Sequence, residues 1–210
     1  IYIYFKDAPK PEKTLVNLEI LDATGTLVRQ YTNREGGDAM CYADNQPGGE
    51  KEPYGVLKLE AGMNRLVWDH RRENIVCIPD FLLSAGWQGY RVAPGRYTVR
   101  LTVDDDISIQ SFDVLDDPRL ERPVSNLRPQ QSRLASLYDR INENHREVRN
   151  IRSLRAQAQD RLRIAPNHAE IDSIREAVES LTAQLDEWLD SIIQTRIKTP
   201  QDQGGIPGRV

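Results

Sequence analysis

Tyr97-Thr98-Val99-Arg100-Leu101-Thr102-Val103 alternates apolar and polar residues without a break. Successive side chains of a β-strand point to opposite faces, so this stretch reads as a strand with one face in a core and one in water. Farther along, Ile171, Ile174, Val178, Leu181, Leu185, Trp188 and Ile192 step by three and four residues, the spacing of a helical seam. The apolar period is two up to about residue 115 and helical from about residue 129. That change sets the fold class: a β half followed by an α half.

In the first half Val16, Leu18 and Ile20 alternate with Asn17 and Glu19. Asp22-Ala23-Thr24-Gly25 then supplies a turn into a second strand over Leu27–Tyr31. Val56–Leu59 and Asn64–Trp68 read as a further pair around Ala61-Gly62. Asp104-Asp105-Asp106 turns the 97–103 strand into Ile107–Leu115. About seven short strands with frequent turns predict an immunoglobulin-like β-sandwich over residues 1–117. The last strand poses a phase problem, because Ile107 and Ile109 are apolar at odd positions and Phe112 and Val114 at even ones. An extra residue near Gln110–Ser111, a β-bulge, would restore one apolar face. The alternative is that Phe112 and Val114 turn outward to meet the helices.

Two stretches break the strand rhythm. Residues 33–55 are rich in Gly, Pro and Asn and hold Cys41, while residues 73–92 hold Cys77, Phe81, Trp87 and Tyr90. Long irregular connections of this kind are often binding loops. Phe81, Trp87 and Tyr90 are therefore the candidate ligand or interface aromatics. Packing of those rings onto the sandwich is the preferred reading, since apolar loop residues usually pack.

Asp116-Asp117-Pro118 closes the β half, and residues 118–128 form a linker. A long antiparallel helical hairpin is expected over 129–195, with a flexible tail over 196–210. Leu134, Leu137, Ile141, Val148, Ile151, Leu154 and Leu162 trace one stripe on its first helix, about 52 Å long. Ile164-Ala165-Pro166-Asn167 breaks that helix, with Asn167 and Glu170 a capping pair for the next. Residues 128–163 carry nine Arg against four acids, and residues 168–195 one Arg against seven acids. Opposite charge on the two helices favours their pairing and penalises like-charged alternatives. Two helices cannot cover all their own apolar surface. The hairpin should therefore bury a second surface on the sandwich, on another part of a larger parent protein or, the preferred reading, by self-association at Trp188, Leu189 and Ile192, where two hairpins would pack as a four-helix bundle.

Composition narrows the function classes. The 28 basic and 32 acidic residues of the 210 leave a formal net charge of −4, with no global field for nucleic acid or an anionic membrane. The arginines of the first helix lack the interleaved aromatics of a nucleic-acid surface. No apolar run is long enough to span a bilayer. Trp68-Asp69-His70-Arg71-Arg72 is the densest polar cluster, but no nucleophile motif accompanies it, and a strand end with a core Trp is the stronger reading. Asp104–Asp106 lacks the spaced ligands and closing Glu of a calcium loop. There is no zinc spacing, HExxH or Gly-rich phosphate loop, so no catalytic residue, cofactor or metal site is expected. The opening Ile1-Tyr2-Ile3-Tyr4-Phe5 is no signal peptide and reads as a strand cut from something larger.

Leu18-Glu19-Ile20-Leu21-Asp22-Ala23-Thr24-Gly25, Gly62-Met63-Asn64-Arg65-Leu66-Val67-Trp68-Asp69, Val92-Ala93-Pro94-Gly95-Arg96-Tyr97-Thr98-Val99-Arg100-Leu101, Asp117-Pro118-Arg119 and Ile151-Arg152-Ser153-Leu154-Arg155 occur in that order. In this the chain resembles the C-terminal region of bacterial BNR-repeat proteins with sortilin-like β-propellers, described as glycosyl hydrolases. The resemblance implies that any hydrolytic site belongs to a preceding propeller, and that this chain is a non-catalytic accessory or assembly fragment with that propeller as partner. The alternative is a carbohydrate-binding module that uses the loop aromatics. The resemblance also implies export of the parent to the periplasm, cell envelope or medium. A Cys41–Cys77 disulfide is then expected, since both residues lie in irregular loops.

Overall fold

The computed structural model describes residues 1–44, 53–83, 85–119, 127–164 and 171–193. The expected cap at Asn167, the tail and most of the linker lie outside the described residues. The chain is β plus α, with two small antiparallel sheets followed by two long helices. In chain order the elements are β1 (Tyr2–Phe5), β2 (Val16–Leu21), β3 (Leu27–Thr32), α1 (Ala39–Asp44), β4 (Gly62–Arg65), β5 (Gly95–Val103), β6 (Asp106–Val114), α2 (Leu127–Ile164) and α3 (Ile171–Ile192).

The larger sheet has the order β3-β2-β5-β6, and β1 pairs with β4 in the smaller one. Leu18 lies opposite Leu101 and Ile20 opposite Val99, so the alternating residues of β2 and β5 share one face. Ile3 of the small sheet closes over that face, in a core that also holds Leu18, Ile20, Val28, Tyr31, Trp68 and Tyr97. Trp68 is buried and donates its indole N–H to the Arg71 carbonyl at 2.8 Å.

Two details of the β half depart from the sequence reading. Val56–Leu59 does not pair with 64–68; β4 pairs with β1, and Val56 makes one parallel bridge to Thr32. Nor is there a bulge in β6, which pairs with β5 in unbroken register from Asp106 to Val114. Phe112 lies opposite Tyr97 and packs its ring near Trp68 and Tyr97 in the sheet core, not against the helices. Ile107 and Ile109 are left on the outer face, 61% and 66% exposed. The ladder's hydrogen bonds hold their register, and two exposed isoleucines cost little where their neighbours are already wet. The irregularity falls instead between β2 and β3, where the register shifts at Ile20/Leu21. The extra residue there lets the neighbours Val28 and Arg29 both be buried.

A second core stands beside the first. It joins Tyr42 of α1, Ile75, Cys77, Ile78 and Trp87 to Val148 of α2 and to Leu189 and Ile193 at the end of α3. The helices therefore bury part of their surplus apolar surface on the two irregular stretches, which the Cys41–Cys77 disulfide joins, while Leu137, Leu154 and Leu181 stay exposed. This also turns α3. Leu181 and Trp188 of the expected seam are exposed at 45% and 41%, whereas Leu189 and Ile193 are buried. With a third element beside the pair, the inward stripe is set by two neighbours and not by one facing helix. The opposite charges of the helices meet in one described pair, Arg155 with Asp186 at 3.1 Å.

Candidate functional site

The 71–92 segment links the two cores. Its two limbs run antiparallel and are tied at intervals. Arg71 bridges Arg91, the Arg72 amide donates to the Tyr90 carbonyl at 3.1 Å, and the Ile75 amide donates to Trp87 at 2.9 Å. The limbs approach so closely at Gly89 that a Cβ there would sit 2.2 Å from the Glu73 carbonyl oxygen. Only glycine fits that crossing.

One limb closes the edge of the large sheet. The Glu73 amide donates to the Val28 carbonyl at 2.8 Å, and the Glu73 carboxylate accepts from the Gln30 amide. The same carboxylate accepts from the Tyr54 hydroxyl at 3.2 Å. The Arg29 guanidinium lies over the Tyr54 ring, 4.2 Å from its centre, and donates to the Arg72 carbonyl at 3.2 Å. Burial raises the Glu73 carboxyl above its ordinary value, opposed by the Gln30 amide, the Arg29 charge and the Tyr54 hydroxyl. Burial likewise pushes the Tyr54 and Tyr42 hydroxyls well up, so both remain neutral donors.

The other side faces α2, which presents a row of polar side chains along its length. Gln131 donates to the Arg91 carbonyl at 3.1 Å, and the Tyr138 ring meets Tyr90 edge-on at 5.7 Å. Asn142 and His145 sit one helical turn apart and take both backbone groups of Val76. The Val76 amide donates to Asn142 Oδ1 at 2.7 Å, and His145 Nδ1–H donates to the Val76 carbonyl at 2.6 Å. Burial lowers the His145 pKa, outweighing the Val76 bond that raises it. Arg149 pairs with Asp38 at 2.5 Å, and Arg152 donates to the Pro79 carbonyl at 2.5 Å. Tied across its limbs only at intervals, the segment leaves other amides and carbonyls, those of Val76 among them, without a ladder partner. These side chains supply one, as buried backbone groups require.

The residues singled out in the sequence fall as follows. Trp87 is buried, T-stacked on Tyr42, Phe81 and His145. Phe81 and Tyr90 are half-buried, and the three rings form no shared exposed platform. Leu189 belongs to the second core, Ile192 packs against it, and Trp188 faces outward. Asp69 and His70 are exposed; Asp69 Oδ1 accepts from the Arg71 amide at 3.1 Å, and His70 takes a left-handed turn with φ 61°. Asp104 Oδ1 accepts from the Leu15 amide at 2.8 Å, fastening the β5–β6 turn to β2. Among the described residues no three His, Cys, Asp or Glu side chains gather as metal ligands. None of their helices is long and apolar enough to cross a membrane.

Sequence reasoning missed Glu73, Asn142 and His145 as fastening groups. His145 falls at helical spacing between Ile141 and Val148 of the first helix's stripe, but its partner, a backbone carbonyl far off in sequence, leaves no signal in side-chain pattern.

Three of the surface depressions among the described residues bear on function. A groove of about 1160 Å3 between the 9–12 and 57–60 segments is lined by charges of both signs, among them Glu12, Arg34 and Glu60. A shallow polar cleft of about 740 Å3 lies between α2 and α3 around Arg152, Arg155 and Asp190. The third, of about 840 Å3, opens between the two sheets, with Leu101, Phe112 and Trp68 on its floor.

No family model, curated protein or solved structure matches the chain.

Proposed function

We propose that this chain is a non-catalytic accessory and assembly module of an exported BNR-repeat, glycosyl hydrolase-like protein. In this reading the two sheets are an immunoglobulin-like sandwich, and the helical hairpin is a buttress fixed to its side. The carrying observation is the use made of the buried polar groups. Glu73, Arg29, Asn142 and His145 are spent fastening the 71–92 segment to the sheet on one side and to α2 on the other. A catalytic group needs at least one face open to a substrate, and each of these is turned inward on a backbone partner. The disulfide fits an oxidising compartment.

The test uses the full-length parent. Deleting this region should lower the yield and unfolding temperature of the propeller, while glycoside turnover per folded molecule persists. The isolated chain should show no turnover on a broad glycoside panel. Turnover by the isolated chain that survives repurification, and is lost on replacing one of its own carboxylates, overturns the proposal.

A further inference from the structure

We infer that the free edge of β6, together with the cleft beside it, takes an extended peptide strand with apolar residues at alternate positions and a carboxylate at one end. This goes beyond the accessory reading and stands whether or not a propeller is the parent. The two edges of the large sheet are treated differently. At β3 the Thr32 amide donates to the Gly55 carbonyl at 3.0 Å, the Leu57 amide to the Thr32 carbonyl at 2.7 Å, and the Glu73 amide to Val28. At β6, among the described residues, no backbone hydrogen bond is made on the outer side. That edge is nine residues long and regular. It lacks the lysines, prolines and bulges that usually protect an edge from pairing. Its two charges, Asp106 and Asp113, lie at its ends, and Arg96 already holds Asp113.

The cleft explains what such a strand would bury. Leu101 and Phe112 on its floor are only half-buried, although they lie on the core face of β5 and β6. Its rim carries Tyr2, Tyr4 and Val67 from the small-sheet side, each about two-thirds exposed. A strand added to β6 would direct every second side chain over Leu101 and Phe112 and the others to solvent. Charge fixes the remaining feature. The cleft is lined by Arg65 and His70 and by no carboxylate, and exposed Arg65 lies opposite Tyr2 in the small sheet. A peptide carboxylate is the complementary group.

The probe is a synthetic peptide of about nine residues, matching β6, that alternates valine with threonine and ends in glutamate. The control carries proline at every second position. Backbone amide exchange across Asp106–Val114 is followed by NMR in the disulfide-intact chain. The valine peptide should slow exchange along β6 in a saturable manner and the proline control should not. Arg65→Glu, at an exposed position, should weaken binding by about fivefold. Ile109→Lys, which charges the edge, should also weaken it while the fold is retained. No protection at about 1 mM peptide, or equal protection by the proline control, overturns the proposal. So does protection that rises with protein concentration in the absence of peptide, which would make a second copy of the chain the occupant.

Discussion

The two cores of this chain hold similar kinds of side chain by different means. In the sheet core, Leu18, Ile20, Val99 and Leu101 are placed by a backbone ladder that runs unbroken through β2, β5 and β6. In the second core, Ile75, Cys77, Ile78 and Trp87 come from a segment outside any sheet. Position there is enforced by a disulfide, a glycine crossing and a row of polar side chains of α2. A ladder divides its work among many equivalent bonds, so losing one is tolerated. The second core depends on a few unlike fasteners, each with a large individual effect.

The largest expected effect is therefore at the disulfide. Replacing Cys41 and Cys77 together with serine should cost about 2–5 kcal/mol. Hydrogen exchange should quicken in 71–92 and in the facing stretches of α2 and α3, while β2 and β5 stay protected. Equal loosening of both cores would erase the distinction between them.

Gly89→Ala should come next, at about 3 kcal/mol, because the new methyl meets backbone atoms of Arg72 and Glu73 that cannot swing aside. Thermal melting checks it, with Gly86→Ala as the comparison. Gly86 has open space around its Cβ, so that substitution should show only the milder strain of its φ of 75°.

Asn142→Ala should cost about 1–3 kcal/mol by leaving the Val76 amide without its acceptor. Asn142→Asp keeps an acceptor and should recover part of the loss. If neither substitution moves the melting temperature, Val76 is not held through this bond.

The smallest effect is a pH dependence with two opposing parts. His145 has a depressed folded pKa, so its contribution is full above the ordinary value of 6.5 and is lost as pH falls through the folded value. Glu73 has a raised folded pKa, so its contribution is full below the ordinary 4.5 and is lost as pH rises through the folded value. Between those limits the two slopes oppose each other. Glu73→Gln should steepen the loss of stability on acidification, and His145→Gln should flatten or reverse it, each by at most about 1.4 kcal/mol per pH unit. Denaturant midpoints measured across this range for the three proteins decide the matter. Parallel curves would mean that neither group changes its protonation on folding.

Legibility in the sequence follows the same division. β2 and β5 could be read because alternation of apolar and polar residues is a local consequence of the pleat. The disulfide was expected from two cysteines in irregular loops together with the export proposed for the parent. The phase of β6 was misread because Ile107 and Ile109 were assumed to need cover, whereas register belongs to the whole ladder. The rotation of α3 was misread because the seam was assigned for a single partner helix, and Trp188 was turned inward where Leu189 belongs. Of the fastening groups, only the type of residue was visible.

By itself the sequence determined the order of β and α halves, the strands with clean alternation and the existence of two long helices, since each depends on hydrogen bonds and apolar spacing within a few residues. The tertiary structure decided where the irregular segments lie. Only there do Asn142 and His145 meet the backbone of Val76, Glu73 meet the edge of β3, and Gly89 cross beneath Glu73. Those contacts join residues distant along the chain through backbone atoms common to every residue, and side-chain order carries no mark of them.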